Sequence, residues 1–215
     1  ENKGIELSVN TLNFKGDNFN WSTNFNISFI KNKVTQLGFL NSSNADFYGI
    51  QNANKVEINQ PLGNFFGYIF EGVNPANGNV IFKDIDGDGS ITPSDRAVIG
   101  NAMPDYTFGL TNTFSYKGFS LDALFTGSQG NDILNATRID LESMIDEKNQ
   151  STVVLNRWTP TNTITDVPRV GDSNSKLISS RFVEDGSYIR LKSVTLGYSF
   201  KNGLLGLKSL KLYAT

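Results

Sequence analysis

The chain has 215 residues, a formal net charge of −2, and neither cysteine nor histidine. The near balance of charges provides no basic stripe for nucleic acid, and the absence of cysteine excludes disulfides, thiolate zinc sites and thiol catalysis. Without histidine the chain also lacks the commonest general base and transition-metal ligand, so we do not expect an enzyme.

Residue usage favours strands and turns. Sixteen Phe occur beside abundant Asn, Ser, Thr and Gly. No apolar run is long enough for a transmembrane helix, but a transmembrane barrel, whose strands are apolar on one face only, stays open. No signal peptide is visible and a strand pattern begins at Glu1, so we expect the termini to be cut ends of a longer protein.

The first predicted hairpin has the clearest strand pattern. In FNWSTNFNISF (19–29) large or apolar side chains alternate with Asn and Ser, and GIELSVNTLNF (4–14) alternates as well. Because strand side chains point alternately to opposite faces, one face is expected to be apolar and the other polar. The turn KGDN (15–18) joins two strands of roughly ten residues, longer than is usual in soluble sheets.

Two further hairpins follow the same plan. The second pairs YTFGLTNTFSY (106–116) with FSLDALFTG (119–127), and the third pairs SYIRLKSVTLGYSF (187–200) with LKLYAT (210–215). In the first strand of the third hairpin, Ile189 and Leu191 occupy odd positions, whereas Val194 and Leu196 occupy even ones. Strict alternation would therefore place the two pairs on opposite faces. A bulge near residues 192–193 would reconcile them; alternatively, the upper part of the strand stands clear of the apolar layer. The alternation predicts these polar-face residues: Asn20, Ser22, Asn24, Asn26, Thr111, Thr113 and Asp122.

The connections are strongly asymmetric. Three are short, at about 15–18, 117–118 and 201–207, and two are long, at about 32–105 and 128–186. Long alternating strands with short turns at one end and long loops at the other are typical of an outer-membrane barrel, whereas a soluble sandwich usually has short connections at both ends. We therefore predict an all-β, antiparallel segment of a large transmembrane barrel. Six strands cannot close such a barrel, so the other strands are expected outside this chain.

The first long loop contains KDIDGDGSITPSDR (83–96), which matches the EF-hand calcium loop pattern D-x-[DN]-x-[DN]-G. Gly89 takes the position of the sharp turn, and Ile91 is expected to pack the loop against its support. Four acidic groups in one loop would repel one another without a cation. The predicted Ca²⁺ ligands are Asp84, Asp86, Asp88, Ser90 through its backbone carbonyl, Thr92 directly or through water, and Asp95.

The loop departs from an EF-hand in two respects. Asp95 stands where a longer bidentate Glu is usual, which predicts weaker calcium binding or better tolerance of magnesium. The preceding NVIFK (79–83) indicates a strand rather than a helix, so no helix pair is available to open as a sensor. A structural role for the metal is therefore expected. The alternative is an Asp- and Gly-rich turn that binds nothing.

The long loops also contain clustered aromatics, in GNFFGYIFEGV (63–73) and NRWTPTNTITDVPRV (156–170). Beside Asn, Asp and Arg they suit sugar or peptide binding, but anchoring of the loops to one another is the favoured interpretation. RIDLESMIDEKNQSTVVLNRW (138–158) is the one helical candidate, with Ile139, Leu141, Met144 and Ile145 roughly spaced for an amphipathic helix. No Ser/His/Asp set or carboxylate pair outside the calcium loop indicates catalysis.

Several stretches, taken in order, resemble a known family. They are NKGIELSVNT, WSTNFNISFIKNKV, FKDIDGDGSITPSDRAVIGNAMPDYTFGLTNTFSYKGFSLDALFTGSQG, NRWTPTN and FVEDGSYIRLKSVTLGYSF. Together they resemble the C-terminal half of the barrel of SusC/RagA-type TonB-linked outer-membrane transporters of Bacteroidetes, across essentially the whole chain. The resemblance implies that residues 1–215 are part of a barrel of about 22 strands, without its N-terminal plug.

The resemblance also implies a function for the whole protein. It implies import of glycans or peptides driven by TonB, long loops on the extracellular side, outer-membrane lipid around the barrel, and a SusD-like surface lipoprotein over the loops. It does not indicate the substrate. The main alternative is a soluble, calcium-stabilised, extracellular β-rich carbohydrate-binding module. An enzyme acting on carbohydrate has the least support.

Overall fold

A computed structural model describes residues 1–38, 47–48, 52–200 and 210–215. The strands, in chain order, are β1 (Asn2–Lys15), β2 (Phe19–Asn32), β3 (Phe47–Tyr48), β4 (Asn54–Val56), β5 (Asn64–Tyr68), β6 (Phe70–Val73), β7 (Val80–Phe82), β8 (Arg96–Asn101), β9 (Tyr106–Tyr116), β10 (Phe119–Gln129), β11 (Asp132–Leu134), β12 (Val183–Asp185), β13 (Tyr188–Phe200) and β14 (Leu210–Ala214). The one α-helix among the described residues, α1, spans Ala136–Glu142. Short 3-10 turns cover Pro93–Asp95, Thr152–Asn156, Ser173–Lys176 and Ser180–Phe182.

The chain divides into two compact units. The sheet unit comprises residues 2–31, 104–131 and 186–215, and the insertion unit comprises residues 1, 32–103 and 132–185. The insertion unit thus collects most of the two long segments that the sequence predicts as loops. Unlike simple loops, these segments contain short strands and a helix.

The sheet unit is one six-stranded sheet in the order β1-β2-β9-β10-β13-β14. Every pair with a defined register is antiparallel, which confirms the predicted all-β, antiparallel fold. The end of β2 pairs with the start of β9, and the end of β10 with the start of β13, through Ser28 with Thr107 and Ser128 with Tyr188. Both long segments therefore leave the sheet from the same end. The predicted turn at 201–207 lies outside the described residues.

The register places the alternating side chains on two distinct faces. Trp21 lies opposite Phe114, with ring centroids 5.7 Å apart, and Phe25 lies opposite Leu110 on the same face. The residues between them pair on the other face, where Ser22 lies opposite Thr113. The apolar and polar faces predicted from the sequence are therefore present. We call them the apolar face and the polar face.

A β-bulge in β13 resolves the change of parity. Leu124 of β10 pairs with Ser193, but Phe125 pairs with Leu191, so Lys192 is the surplus residue. One extra residue reverses the alternation, so Leu191 and Val194 end on the same face. Of the two explanations that the sequence left open, the structure shows the bulge.

The turn between β9 and β10 needs only two residues. Lys117 has φ +46° and Gly118 has φ +94°. Two consecutive residues with positive φ define a type I′ turn, whose twist matches that of the flanking strands. Gly at the second position adopts this conformation without a Cβ clash, and the tight turn sets the register of Tyr116 against Phe119.

The insertion unit contains a four-stranded sheet, β3-β4-β5-β8, and two pairs, β6-β7 and β11-β12. Its helix is shorter than the helical candidate of the sequence, because Met144 has φ +53° just after the last turn of α1. Met144 instead packs with Val154 and Val167 in a buried cluster. No helix among the described residues has the length and apolarity required to cross a membrane.

Candidate calcium site and the polar face of the sheet

The predicted calcium loop connects two sheets of the insertion unit. It leaves β7, which pairs with β6, and enters β8, which pairs with β5. The backbone N–H of Lys83 donates to the carbonyl of Ile69 at 2.9 Å just before the loop begins. Both ends of the loop are therefore held by backbone hydrogen bonds: the Lys83 bond to Ile69 before the loop, and the pairing of β8 with β5 after it.

Three of the predicted ligands come together. One carboxylate oxygen from each of Asp84, Asp86 and Asp88 lies within 4.8 Å of the other two. Backbone N–H groups orient these carboxylates: Gly87 donates to Asp84 Oδ1 at 2.7 Å, and Gly89 donates to Asp84 Oδ2 at 2.8 Å. Similar bonds reach Asp86 from the N–H of Asp88 at 3.2 Å and Asp88 from the N–H of Ser90 at 2.7 Å. Hard carboxylate oxygens in this arrangement suit Ca²⁺ or Mg²⁺.

The two loop glycines adopt conformations that other residues avoid. Gly87 has φ +75° and Gly89 has φ +84°, and a Cβ at either position would meet no atom within 4 Å. Space is therefore no obstacle to a side chain, and the requirement for Gly is conformational. At Gly89 this agrees with the sharp turn expected at that position of the pattern.

Asp95 is placed differently from the other three Asp residues. Its side chain is fully buried, and it is not part of the three-carboxylate group. The N–H groups of Ile85 and Thr92 donate to Asp95 Oδ1 and Oδ2, each at 2.7 Å. The bond from Thr92, followed by that from Ile85, holds the pKa of Asp95 below its usual value. Asp95 thus ties the beginning of the loop to its end.

A capping box accounts for this geometry. The Thr92 hydroxyl accepts from the N–H of Ser94 at 3.2 Å, while Asp95 accepts from the N–H of Thr92. Pro93 occupies the first turn that Thr92 caps. The sequence TPSD (92–95) carries this signal, a hydroxyl residue followed three positions later by an acid. The calcium pattern predicts Thr92 and Asp95 only as metal ligands and does not reveal their capping role.

The three-carboxylate group concentrates negative charge. At Asp86 the N–H of Asp88 lowers the pKa, but desolvation and the charges of Asp88, Asp95 and Asp84 together outweigh it. The pKa of Asp86 is consequently raised above its usual value. A bound cation would remove this repulsion.

The aromatics of the long segments pack within the insertion unit. Phe66 and Tyr68 are buried, and the Tyr68 ring lies 5.1 Å from that of Phe82. Trp158 donates through Nε1 to the carbonyl of Pro75 at 3.0 Å, and its ring covers Gly78. These contacts support the interpretation that these aromatics anchor the long segments.

The polar face of the sheet is lined mainly by amides and hydroxyls. The Thr113 hydroxyl donates to Asp122 at 2.6 Å, and Asn24 donates to Asn10. The residues predicted on this face from β2, β9 and β10 all lie there in the observed register. Such groups can bind many polar solutes, so the face does not select one substrate class.

No protein-family model matches the chain, but individual proteins do. The TonB-dependent receptor P3 of Formosa agariphila is 37% identical over 238 residues, covering 100% of this chain and 23% of that protein. The TonB-dependent receptor SusC of Bacteroides thetaiotaomicron is 27% identical over 216 residues, covering 94% of the chain and 21% of SusC. A solved structure of the RagAB peptide transporter superposes with a TM-score of 0.85 at 25% identity, covering 99% of this chain and 24% of that one.

The resemblance to SusC/RagA-type TonB-dependent receptors is confirmed. This SusC/RagA-type segment spans about a quarter of the length of the proteins it matches. Its six-stranded sheet is accordingly part of a β-barrel. The relatives are receptors and transporters, which supports the expectation that the segment is not an enzyme.

Proposed function

We propose that the whole protein containing this segment imports glycans, oligosaccharides or peptides across the outer membrane, with energy supplied through TonB and with a SusD-like lipoprotein as partner. The observation that carries the proposal is the sheet with one apolar and one polar face, matched over its whole length to TonB-dependent receptors. The apolar face suits lipid and the polar face suits a lumen. The similarity to RagAB, a peptide transporter, keeps peptides among the candidate substrates.

In this proposal the sheet unit is a section of barrel wall and the two long segments are extracellular. Both segments leave the sheet at one end, as expected for a barrel with short periplasmic turns and long outer loops. The matches to receptors favour this function over the soluble carbohydrate-binding module.

Uptake by whole cells tests the proposal. A strain lacking the full-length gene should lose uptake of one class in a panel of labelled oligosaccharides and peptides. Strains lacking TonB or the proposed SusD-like lipoprotein should lose uptake of the same class. A full-length protein that is secreted in soluble form and binds carbohydrate would contradict the proposal and support the soluble module.

We also propose that the loop at 84–95 binds a structural Ca²⁺. Asp84, Asp86 and Asp88 would supply carboxylate oxygens, Ser90 its carbonyl, Thr92 an oxygen directly or through water, and Asp95 the closing carboxylate. The converging carboxylates, the two glycines with positive φ and the buried tie through Asp95 support the proposal. The cation would stiffen the connection between β7 and β8.

Calcium titration of the full-length receptor tests this site. Asp86→Asn keeps the side-chain size and the acceptor for the Asp88 N–H, and should weaken calcium binding at least about tenfold. Asp140→Asn is the matched control, because Asp140 is an exposed acid that pairs with Lys148. Equal affinities in both variants and the wild type would place any bound calcium elsewhere.

A further inference from the structure

We propose that Arg190 binds a carboxylate group of the transported solute on the polar face, with the hydroxyl of Thr126 and the side-chain amide of Asn26 beside it. The inference rests on the proposed function, in which the polar face lines the lumen. It deepens that function, because it assigns a specificity-determining residue and a ligand chemistry to a face whose composition alone selects no substrate class.

The three residues lie in one row across the sheet. Thr126 of β10 pairs with Arg190 of β13 on one side and with Gly109 of β9 on the other, and Gly109 in turn pairs with Asn26 of β2. Thr126 shares its face with Asp122, four residues earlier in β10, so the whole row belongs to the polar face. We call it the Arg190 row. Residues directly opposite one another have Cβ atoms about 5 Å apart, so Thr126 and Arg190 can contact the same ligand group.

Gly109 lets the amide of Asn26 lie across β9. A Cβ on Gly109 would lie 2.9 Å from Asn26 Nδ2 and 3.1 Å from Asn26 Oδ1. The amide therefore occupies the space that the side chain of any other residue would fill. The Arg190 row thus presents an amide, a hydroxyl and a guanidinium, with no side chain of β9 between them.

The polar groups of the Arg190 row lack partners within the described part of the chain. The Thr126 hydroxyl is buried and bonds to no other group there. Neither the side-chain amide of Asn26 nor the guanidinium of Arg190 forms a hydrogen bond or an ion pair with a described residue. The guanidinium lies over the Tyr188 ring, with its Cζ 5.1 Å from the ring centroid. Because a buried hydroxyl without a partner is costly, a bound solute that supplies the partner is favoured.

The neighbouring rows differ, because polar groups in them bond within the protein. Toward the end from which the long segments leave, the Ser128 hydroxyl donates to Asn131 at 2.8 Å. In the next row toward the short turns, the amide of Asn24 donates to Asn10. The Arg190 row therefore keeps hydrogen-bonding groups free for a ligand where its neighbours have internal partners.

The charge of Arg190 also has no counter-charge close by on this face. The described strands of the sheet contain two acids, Glu6 and Asp122. Asp122 is four residues from Thr126, or about 13 Å at about 3.3 Å per residue, and it accepts from Thr113 at 2.6 Å. Glu6 lies on β1, four strands from β13, or about 19 Å at about 4.8 Å per strand. Both are too far away to neutralise Arg190, so an anionic group of a solute is the partner that its charge favours.

A carboxylate fits the geometry of the Arg190 row. The guanidinium is a planar fork of N–H donors that matches the two oxygens of a carboxylate. Thr126 and Asn26 supply further donors. The contact with the Tyr188 ring holds the guanidinium in place. Two kinds of small solute carry this group: a peptide with a free C-terminus and an oligosaccharide that contains uronic acids.

Uptake of matched solute pairs by cells with the full-length receptor tests the inference. One pair is a labelled random hexapeptide mixture with free C-termini and the same mixture with C-terminal amides. The other pair is labelled oligogalacturonate and its methyl ester. With the wild-type receptor, the carboxylate form of one pair should enter at least about tenfold faster than its neutral form, as expected for charge-assisted hydrogen bonds. The pair that shows the preference identifies the source of the carboxylate.

Variants of the receptor assign the preference to the Arg190 row. Arg190→Met should slow uptake of the carboxylate form at least about tenfold and leave the neutral form unchanged, while Arg190→Lys should retain part of the preference. Thr126→Val removes a neutral donor and should reduce the preference about two- to fivefold. Lys211→Met is the matched control, because Lys211 is a cation of the polar face near the short turns, paired with Ser199, and it should keep the wild-type preference.

Several results would overturn the inference. They are equal uptake of both forms in both pairs by the wild type, an unchanged preference in Arg190→Met, and a preference lost equally in Lys211→Met, which would indicate net charge alone. Equal loss of both forms in Arg190→Met and Arg190→Gln would assign Arg190 to assembly and also overturn it. A receptor whose deletion changes uptake of no solute in the wider panel would instead overturn the proposed function, so the two failures are distinguishable.

Discussion

The sheet unit and the insertion unit keep their apolar side chains in opposite places. The large hydrophobic residues buried in the described part of the chain all belong to the insertion unit: Phe66, Tyr68, Val73, Phe82, Met144, Val154, Val167 and Phe182. In the sheet unit β1 is exposed along its whole length, and Ile5 and Leu196 remain more than half exposed. The insertion unit therefore packs around its own core, whereas the sheet unit needs an apolar phase supplied from outside.

The two units also differ in how they use polar groups. In the sheet unit the strands are joined by regular backbone ladders. In the insertion unit side chains bond to distant backbone groups: the buried Asp172 accepts from the N–H of Val80 at 2.8 Å, and the half-buried Ser180 accepts from that of Phe70 at 2.9 Å. Regular alternation thus specifies one unit, and individual polar contacts specify the other. The following variants test this difference, from the largest expected effect to the smallest.

Deletion of Lys192 should cause the largest loss. Without the surplus residue, Ile189 and Leu191 would turn to the polar face and Arg190 to the apolar face. Each apolar side chain removed from the apolar phase costs about 1.5–3 kcal/mol. The charge of Arg190, placed in that phase, adds to the cost. The folded fraction of the full-length receptor, measured by heat-modifiable gel mobility, should fall sharply. Lys192→Ala keeps the bulge and should assemble normally; equal assembly of both variants would show that the bulge is dispensable.

Glu142→Ala should destabilise the insertion unit by about 3–5 kcal/mol, because it leaves buried positive charge unpaired. Glu142 accepts from Arg138 Nε at 2.8 Å and from Arg181 Nη2 at 2.9 Å. Hydrogen exchange over residues 136–142 and 180–185 of the full-length receptor should accelerate, while exchange in β9 and β10 should not change. Asp140→Ala removes only an exposed, solvent-screened pair and should leave stability almost unchanged. Faster exchange in β9 and β10 would contradict independent packing of the two units.

Gly78→Ala should cost more than Gly171→Ala, although both residues have φ +75°. Each substitution carries a conformational cost of about 1–2 kcal/mol. At Gly78 the added Cβ would also lie 2.5 Å from the Trp158 ring, whereas the nearest atom at Gly171 is 3.9 Å away. Protease sensitivity of the insertion unit should rank the variants in that order. Equal sensitivity would show that Trp158 can move aside at little cost.

Thr23→Val should cost about 0.5–1.5 kcal/mol, as expected for one hydrogen-bonding group. It removes the acceptor of the Asn13 amide on the apolar face, where lipid cannot replace the lost bond. Thr113→Val removes a bond to Asp122 on the polar face, where water can replace it, and should cost less. Denaturant unfolding in detergent compares the two, and the reverse order would contradict the assignment of the faces.

The six strands of the sheet unit could be predicted because alternation is a local property. The alternation alone assigns residues such as Trp21 and Phe25 to one face of the sheet, without knowledge of the strands with which they pair. The position of the bulge could only be narrowed to residues 192–193, because parity shows that a shift occurs but not how it is accommodated. The register against β10 was needed to identify Lys192.

The short strands of the insertion unit, apart from the strand expected at residues 79–83, were not predicted, because long-range contacts define them. Phe70 of β6 donates its N–H to the Ser180 hydroxyl, far away in sequence, and no local pattern specifies that bond. In the candidate metal site, spacing was sufficient to predict that Asp84, Asp86 and Asp88 converge. The role of Asp95 in closing the loop was not predicted, because the residues of its capping box also match the calcium pattern. The calcium ligands themselves stay predictions.

The two-residue turn at Lys117 and Gly118 has a consequence for the order of folding. Strands β9 and β10 can pair after closing only this turn, whereas β2 must wait for the chain from Asn32 to Tyr106 to close. The entropy of loop closure differs by about 3 kcal/mol between the two events. The β9–β10 hairpin, like the β1–β2 hairpin with its short turn, can therefore form before β2 pairs with β9. Because β9 and β10 lie at the centre of the strand order, pairing can spread outward from them in both directions.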